Sequence, residues 1–271
     1  RDGAVMYGTT DLATLVERMD LYAPDRVIYI VDQRQHMHFQ QVFRAAYKAG
    51  ITSAETELTH AGFGTMNGTD GKPFKTRAGG VMRLSDMIAM AVERAESRLA
   101  EADLAQDMDT AERSDIAQKI GIAAIKFADL YNQRTSDYVL DLDRMMAFEG
   151  KTGPYLIYQA VRIKSLLVKA AEKGFTPGDT ILIRDEDRPL ALILAELPDV
   201  LEVVCRDYMP HHLCDYAYRL AQAFATFYGQ CHILSVPDAD LRASRLLLCR
   251  ATHDQLVRVL DLLGISVPAR M

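Results

Sequence analysis

The sequence predicts an α/β fold that is followed by an all-α fold. In the first 63 residues, short runs rich in β-branched residues alternate with helical patterns, which is typical of a parallel sheet. Beyond Gly150 the apolar residues recur at helical spacing, and no strand pattern occurs after about Ile183. The 271 residues are enough for one large domain or for two ordinary ones.

Composition and charge exclude several classes of protein. The chain is 49% hydrophobic and 25% charged, as expected of a globular protein. It has no run of about 18 apolar residues that would span a membrane. A net charge of −6 argues against a strongly basic nucleic-acid-binding protein. Residues 1–150 carry 17 Lys and Arg against 23 Asp and Glu, whereas residues 151–271 carry 14 of each. Local basic residues can still bind phosphate, because steering depends on the local field.

The cysteines and the first residues indicate the cellular setting. Four scattered cysteines suit a reducing cytosol, and we predict that they are core residues. The chain opens on Arg1-Asp2-Gly3 without a signal-peptide pattern or a start methionine. Because this opening lies in what the pattern predicts to be a strand, we expect the 271 residues to be a truncated form of a longer protein.

The first region is predicted to alternate strands and helices. Its predicted elements are a strand at Ala4–Tyr7, a turn and helix N-cap at Gly8–Asp11, a helix to about Met19, a buried strand at Arg26–Asp32, a helix at His38–Lys48 that ends at Gly50, and a strand at Thr56–Phe63. Ligands of parallel sheets bind at the carboxyl ends of the strands. Tyr7–Asp11 and Asp32–His38 both follow such ends.

The second region is predicted to be helical. A helix over Ile116–Tyr131 precedes an apolar stripe that consists of Leu156, Ala160, Ile163, Leu167 and Ala170, with Tyr155, Tyr158, Arg162 and Lys169 on the opposite face. Gly174–Arg188 is predicted to be an internal linker. The last helix is predicted to begin near Asp238 and to stop at Gly264, with Leu246, Cys249, Leu256, Leu260 and Leu263 inward.

A carboxylate, a phenol and an amide come close to the predicted strand ends. Asp11, Tyr7 and Gln35 are suited to hold a planar cationic group, because a carboxylate pairs bidentately with a guanidinium. The alternative is that Asp11 only caps a helix.

A loop rich in glycine and basic residues offers a second kind of chemistry. Lys72-Pro73-Phe74-Lys75-Thr76-Arg77 places two lysines and a hydroxyl between glycines. Such cations suit the charge that develops on a transferred or leaving phosphate. The alternative is a solvated basic loop, and the loop lacks the spacing of a P-loop.

The histidines do not form a convincing metal site. His211, His212 and Cys214 lie close in sequence but lack a full set of ligands, as do His36 and His38. We therefore predict no protein metal site. His38, near a strand end, is a candidate nucleotide contact, and a hydrogen-bonded structural histidine is the alternative.

The order of these motifs along the chain resembles the C-terminal half of the arginyl-tRNA synthetases, a family of class I aminoacyl-tRNA synthetases. The likeness is carried by Asp2-Gly3-Ala4 and Tyr7-Gly8-Thr9-Thr10-Asp11, by Ile28-Tyr29 through Gln35 and His38, by Gly62-Phe63-Gly64, by Lys72–Thr76, by Phe148–Tyr155, by Leu262-Leu263-Gly264-Ile265 and by Pro268-Ala269-Arg270-Met271. It covers residues 1–271. Each motif alone is weak, but their order is specific.

The resemblance implies a division into three parts. Residues 1–80 are expected to be the second half of a Rossmann-like catalytic domain with a K-M-S-K-S-type loop, residues 81–152 a helical connector that contacts the tRNA stem, and residues 153–271 a helical-bundle anticodon-binding domain.

The resemblance also implies the roles of particular residues. Tyr7, Asp11 and Gln35 match positions that bind arginine, and the backbone of Gly64, Thr65 and Met66 matches the segment along the adenine. Lys72, Lys75 and Thr76 occupy the K-M-S-K-S loop, where the two lysines are the expected catalytic residues. Lys75 is expected to stabilise the pyrophosphate. Tyr228, His232 and Met271 match positions that face the anticodon loop, where an aromatic side chain can stack on a splayed base.

The implied activity is that of an arginine–tRNA ligase. It activates L-arginine with ATP and Mg²⁺ and transfers it to the 3′ end of tRNA(Arg), as a cytoplasmic, monomeric enzyme without a membrane partner. The class I H-x-G-H motif does not occur in these 271 residues. We therefore expect this chain alone to be inactive. The alternative is a non-catalytic tRNA-binding module that is related to the synthetases.

Overall fold

The structure, a computed structural model, describes residues 5–68, 71–72, 83–101 and 108–271. It contains two compact units. Unit 1 comprises the residues up to Asn67 together with Arg134–Val139, and unit 2 comprises Gly68–Gln133 and Leu140–Met271. The predicted order, an α/β region followed by a helical region, is confirmed.

Unit 1 has a small parallel sheet with helices on one face. Its elements are α1 (Tyr7–Tyr22), β1 (Arg26–Asp32), a 3-10 turn (Gln33–Gln35), α2 (His36–Lys48), β2 (Glu57–Phe63), β3 (Met66–Asn67) and β4 (Tyr138–Val139). β1 and β2 pair in parallel from Arg26 with Glu57 to Asp32 with Phe63. The core between the sheet and the helices contains Leu15, Val27, Val42 and Ala46.

The start of unit 1 differs from the prediction. Val5 and Met6 lie outside any strand, and α1 already begins at Tyr7. The predicted N-cap at Gly8–Asp11 is also wrong, because these residues lie inside the helix, and its N-cap residue Met6 makes no side-chain capping bond. A four-residue apolar run is too short for its periodicity to distinguish a strand from a helix.

β1 is a strand, as predicted, but it is not buried on both faces. Val27 is buried, whereas Ile30 is 70% exposed and Ile28 is 40% exposed. The burial alternates because side chains of a strand point to opposite faces, and α1 and α2 pack against the Val27 face.

Unit 2 is helical in the part that the structure describes. Its elements are α3 (Leu84–Glu101), α4 (Thr110–Tyr131), α5 (Leu142–Met145), α6 (Gly153–Glu172), α7 (Arg188–Ala195), α8 (Leu197–Asp207), α9 (His211–Cys231), a 3-10 turn (Ile233–Ser235) and α10 (Ala239–Leu262). α3 and α4 form one hydrophobic core, and α6, α9 and α10 form a larger one. Asp109, Thr152 and Asp238 cap α4, α6 and α10 by accepting bonds from first-turn N–H groups.

Two glycines allow α4 to approach its neighbours closely. A Cβ on Gly121 would lie 2.9 Å from the backbone nitrogen of Val92 in α3. A Cβ on Gly153, at the start of α6, would lie 2.3 Å from the carbonyl oxygen of Ala123 in α4. The close spacing of α4 with α3 and α6 therefore depends on the lack of a side chain at Gly121 and Gly153.

The predicted linker at Gly174–Arg188 is a loop that is bound to α10. The amide of Gly178 donates to the Ala243 carbonyl at 2.9 Å, and the amide of Leu182 donates to Ser244 Oγ at 2.7 Å. Asp187 is fully buried and accepts a 3.0 Å bond from Arg245 Nε. These bonds make the segment part of the helical unit, so the linker prediction is wrong.

The burial of unit 2 confirms most of the predicted stripes. The inward residues predicted for the last helix are all buried. Tyr155, predicted on the polar face of α6, is buried, and Cys205, predicted in the core, is exposed. The Tyr155 side chain can be buried because its hydroxyl accepts a hydrogen bond from Gln222 Nε2 and its ring packs on Tyr218. A tyrosine whose hydroxyl has such a partner does not need to reach solvent.

Two glycine substitutions test the close approach of α4 and α6. Gly153→Ala is expected to lower the free energy of unfolding by about 1–3 kcal/mol, because the added methyl group forces backbone apart in a packed contact. The control is Gly229→Ala in α9, where nothing lies within 4 Å of the added Cβ. It is expected to raise the free energy of unfolding by up to about 1 kcal/mol. Denaturant unfolding of both variants measures the difference, and equal effects would contradict the packing.

Candidate functional site

Tyr7 and Asp11 lie one turn apart on α1, and both contact His38 in the first turn of α2. His38 Nε2 donates a 2.6 Å hydrogen bond to Asp11 Oδ2, and the ring centroids of Tyr7 and His38 are 5.1 Å apart. Among the described residues, Asp11 Oδ1 has no hydrogen-bond partner, and the Asp11 side chain is 17% exposed. One carboxylate oxygen is thus fixed by the imidazole, and the other can accept bonds from a cationic ligand.

Gln35, the third residue predicted to bind arginine, directly precedes α2. Within the described residues, no hydrogen bond joins its side chain to Tyr7 or Asp11. The turn before it is held by Asp32, whose carboxylate accepts bonds from the Arg34 amide at 2.8 Å and from Arg34 Nη2 at 2.6 Å. These bonds lower the pKa of Asp32 to about 2. The carboxyl end of β1 therefore leads into Gln35 through a fixed turn.

A chain of hydrogen bonds joins two histidines at the same edge of the sheet. Gln40 Nε2 donates to His36 Nε2 at 2.8 Å, and the two Nδ1 atoms of His36 and His60 are 3.4 Å apart. His60 Nε2 lies 3.2 Å from the Val31 carbonyl oxygen. One set of tautomers satisfies all three contacts: His36 Nδ1 donates to His60 Nδ1, and His60 Nε2 donates to Val31.

The segment after β2 is held by residues far away in the chain. Arg134 Nη1 donates to the Gly62 carbonyl, and the Gly64 amide donates to the Arg134 carbonyl at 2.9 Å. The amide of Thr65 donates to Asp137 Oδ1 at 2.6 Å, and this bond lowers the pKa of Asp137. A Cβ on Gly64 would lie 2.4 Å from the Ser136 carbonyl oxygen, so only glycine fits.

Arg134 and Asp137 are therefore positioning residues that sequence reasoning missed. Both lie in residues 81–152, which the resemblance assigned to the helical connector, away from the sheet edge. Its bond to Thr65 spans 72 positions, and no local pattern reports such a contact. The predicted adenine segment, Gly64–Met66, is fixed by them on its backbone side, and Met66 pairs with Tyr138.

The predicted phosphate loop is only partly described. Lys75 and Thr76 lie outside the described residues. Lys72 belongs to unit 2, and its carbonyl accepts a 2.7 Å bond from the Gly68 amide. The roles of Lys72, Lys75 and Thr76 stay predictions.

The residues predicted to bind tRNA lie at two places in unit 2. Tyr228 is half-buried near the end of α9, with its ring centroid 6.0 Å from that of Phe224. His232 is exposed directly after α9, in a left-handed conformation with φ of 41°. The preceding carbonyl, that of Cys231, accepts a bond from Arg245 in the first part of α10.

Met271 lies near the other end of α10. The last turn of α10 is about 25 Å along the helix axis from Arg245, at about 1.5 Å per residue. From there the chain follows α4: Lys126 Nζ donates to the Gly264 carbonyl, and Arg270 pairs with Glu112 at 2.7 Å. Met271 packs against both hydrophobic cores. Tyr228 and His232 thus lie at the end of α9, whereas Met271 lies in the segment that follows α4 after α10.

The second histidine cluster has no arrangement for a metal ion. His211 and His212 stack with ring centroids 4.1 Å apart, and Cys214 is buried in the core. Burial raises the pKa of the Cys214 thiol, which disfavours the thiolate that a metal requires. Among the described residues, no three His, Cys, Asp or Glu side chains are grouped to hold a metal ion. No helix in the described ranges is long and apolar enough to cross a membrane.

The burial of His60 predicts a dependence of stability on pH. Burial holds the pKa of His60 below its ordinary value, so the unfolded chain takes up a proton first as the pH falls below about 6.5. The contribution of the neutral His60 ring to the free energy of unfolding is therefore complete above that pH. It is lost as the pH falls through the pKa that His60 has in the folded protein. Thermal unfolding at pH 7.5 and pH 5.5 is therefore expected to show a smaller loss of stability in His60→Gln than in the wild type. An equal loss in both proteins would contradict the prediction.

Comparisons with known proteins identify both regions of the chain. The family model described as "tRNA synthetases class I (R), catalytic domain" matches residues 1–142. The model described as "DALR anticodon binding domain" matches residues 156–271. Together they account for the α/β region and for the helical region.

Individual relatives agree with these matches. The arginine–tRNA ligases of Hyphomonas neptunium and Maricaulis maris are each 52% identical to this chain over 271 residues, covering 99% and 100% of it, respectively. The chain spans 46% of the length of each. The fold matches that of Thermus thermophilus arginyl-tRNA synthetase with a TM-score of 0.84 at 23% identity, over 100% of this chain and 50% of that one. The chain belongs to the class I arginyl-tRNA synthetase family.

Proposed function

We propose that this chain is the C-terminal part of an arginine–tRNA ligase. The full-length protein activates L-arginine with ATP and transfers it to the 3′ end of tRNA(Arg). The observation that carries the proposal is the Asp11 carboxylate, held by His38 at 2.6 Å with one oxygen left to accept a ligand, in a chain of this family.

Arginine binding follows from the chemistry of this carboxylate. A guanidinium presents parallel N–H donors that match a carboxylate, and a partly buried charge pair is stronger than one in water. Tyr7 lies beside His38 and supplies a phenol next to the same ligand. Gln35, which precedes α2, supplies an amide for the α-amino or α-carboxyl group of the substrate.

ATP binding is assigned to the edge where β1 and β2 end. The backbone of Gly64, Thr65 and Met66 lies along the adenine, and His38 contacts the nucleotide. Lys72, Lys75 and Thr76 bind the phosphates, with the two lysines neutralising the charge that develops on the pyrophosphate as the arginine carboxylate attacks the α-phosphorus. Mg²⁺ enters with the ATP phosphates, and no residue of this chain is assigned as its ligand.

The helical unit binds the anticodon loop of tRNA(Arg). Tyr228 and His232 offer aromatic rings to unpaired bases, and Met271 offers an apolar contact. We further propose that the enzyme is monomeric and cytoplasmic. A non-catalytic tRNA-binding module of the same family is the second candidate.

Arginine-dependent exchange of pyrophosphate into ATP by the full-length gene product, measured in the presence of tRNA(Arg), tests the proposal. Activity that requires arginine supports it. Binding of tRNA(Arg) without any exchange would favour the module instead. The 271-residue chain by itself is expected to give no exchange above background.

Substitution of Asp11 tests the arginine site within that assay. Asp11→Ala is expected to raise KM for arginine roughly tenfold to hundredfold, because a charge-assisted pair with the substrate is lost. Asp20→Ala is the matched control, since it removes an exposed carboxylate from the same helix. Equal KM values for the two variants would contradict the assignment of Asp11.

A further inference from the structure

The segment after β2 is held along one side of its backbone, and Thr65 is held at both of its backbone groups. The Thr65 amide donates to Asp137 Oδ1 at 2.6 Å, and the Thr65 carbonyl accepts a 3.1 Å bond from the Tyr138 amide. The amide before it, that of Gly64, donates to the Arg134 carbonyl at 2.9 Å. The peptide groups on either side of Thr65 therefore have little rotational freedom.

Met66, the next residue, has its backbone hydrogen-bonding groups on the other side of this segment. β3 pairs in parallel with β4, and Met66 lies opposite Tyr138, whose amide bonds to the Thr65 carbonyl. In such a parallel pair, the residue opposite directs its own N–H and C=O away from the partner strand. Within the described ranges, β3 pairs with β4 alone. A donor and an acceptor of Met66 thus lie side by side on an edge that no described strand covers.

The Asp137 carboxylate acts on this edge through the Thr65 amide. Its bond to that amide holds the pKa of Asp137 below the ordinary value, so the carboxylate is charged at neutral pH and the bond is charge-assisted. The Asp137 side chain is exposed and lies outside the hydrophobic core of unit 1. Its removal therefore changes the orientation of the Thr65 peptide without opening a cavity.

We propose that Asp137 is a positioning residue for ATP, because its hold on the Thr65 amide sets the direction of the Met66 N–H and C=O toward the base. The inference rests on the proposed function, in which Gly64–Met66 lie along the adenine. Adenine has an acceptor, N1, beside a donor, the 6-amino group, and these complement a neighbouring N–H and C=O. Hypoxanthine has the reverse pattern, N1–H beside a 6-carbonyl group. We therefore expect the same backbone to reject inosine triphosphate.

The test measures arginine-dependent pyrophosphate exchange by the full-length gene product in the presence of tRNA(Arg), with ATP and arginine varied in turn. Asp137→Ala is expected to raise KM for ATP roughly tenfold, because one charge-assisted bond that orders the segment is lost, and to leave KM for arginine within about twofold of the wild type. Its preference for ATP over inosine triphosphate is expected to fall. Asp137→Asn is expected to recover most of both properties, since its amide oxygen still accepts from the Thr65 amide.

Asp141→Ala is the matched control, because Asp141 makes the same kind of bond at another place. Its Oδ1 accepts a 3.1 Å bond from the Arg144 amide and caps α5. The control variant is expected to lose stability without a change in KM for ATP or in base preference. Thermal unfolding checks that each variant is folded. If Asp137→Ala does not fold, Asp137→Glu, which moves the carboxylate by one methylene group relative to the Thr65 amide, gives the same test.

Three results would overturn the inference. They are an unchanged KM for ATP in Asp137→Ala, equal rises in KM for ATP and in KM for arginine, which would indicate general damage to the site, and an unchanged preference for ATP over inosine triphosphate. An effect of Asp141→Ala on KM for ATP as large as that of Asp137→Ala would also contradict it. Failure of the proposed function is distinguishable, because the wild-type protein itself would then show no arginine-dependent exchange.

Discussion

The parallel pairing of β1 with β2 places the segments that carry Gln35, His38 and Gly64–Met66 at one edge of the sheet in unit 1. The register pairs Asp32 with Phe63, so the chain segments that follow both strands leave the sheet at the same edge. α2 begins there and carries His38, while Gly64 begins the segment fixed by Arg134 and Asp137. A shift of one residue would turn every side chain of the strand to the other face. The geometry of the candidate site therefore depends on this register.

In the helical unit, close contact between helix backbones determines how the helices pack. Gly121 and Gly153 let α4 lie against α3 and α6 without an intervening side chain. The chain after α10 then lies along α4, where Arg270 pairs with Glu112. A buried pair, Arg245 with Asp187, fixes the loop before α7 onto α10 and leaves neither charge without a partner. Packing, more than surface charge, thus determines where the predicted RNA-binding side chains lie.

The sequence was sufficient to predict the elements that have a clear residue pattern, and the residues that directly follow them. β1 was predictable because its run is rich in β-branched residues, and the long helices were predictable because their apolar residues repeat at 3.6 residues. The first strand prediction, at Ala4–Tyr7, failed because four residues carry no period. The roles of Arg134 and Asp137 could not be predicted, since their partners are 72 positions away. Burial of Tyr155 depended on a partner in another helix, which the pattern of α6 does not show.

We propose that the Asp11 carboxylate selects the guanidinium of arginine. Calorimetric titration of the full-length gene product with arginine and with citrulline, which has the same shape but carries a neutral urea group, measures this selectivity. The wild type is expected to prefer arginine strongly, and Asp11→Asn is expected to lose most of this preference, because the ligand's positive charge no longer has a negative partner. A preference for arginine that is unchanged in Asp11→Asn would show that Asp11 does not select the guanidinium.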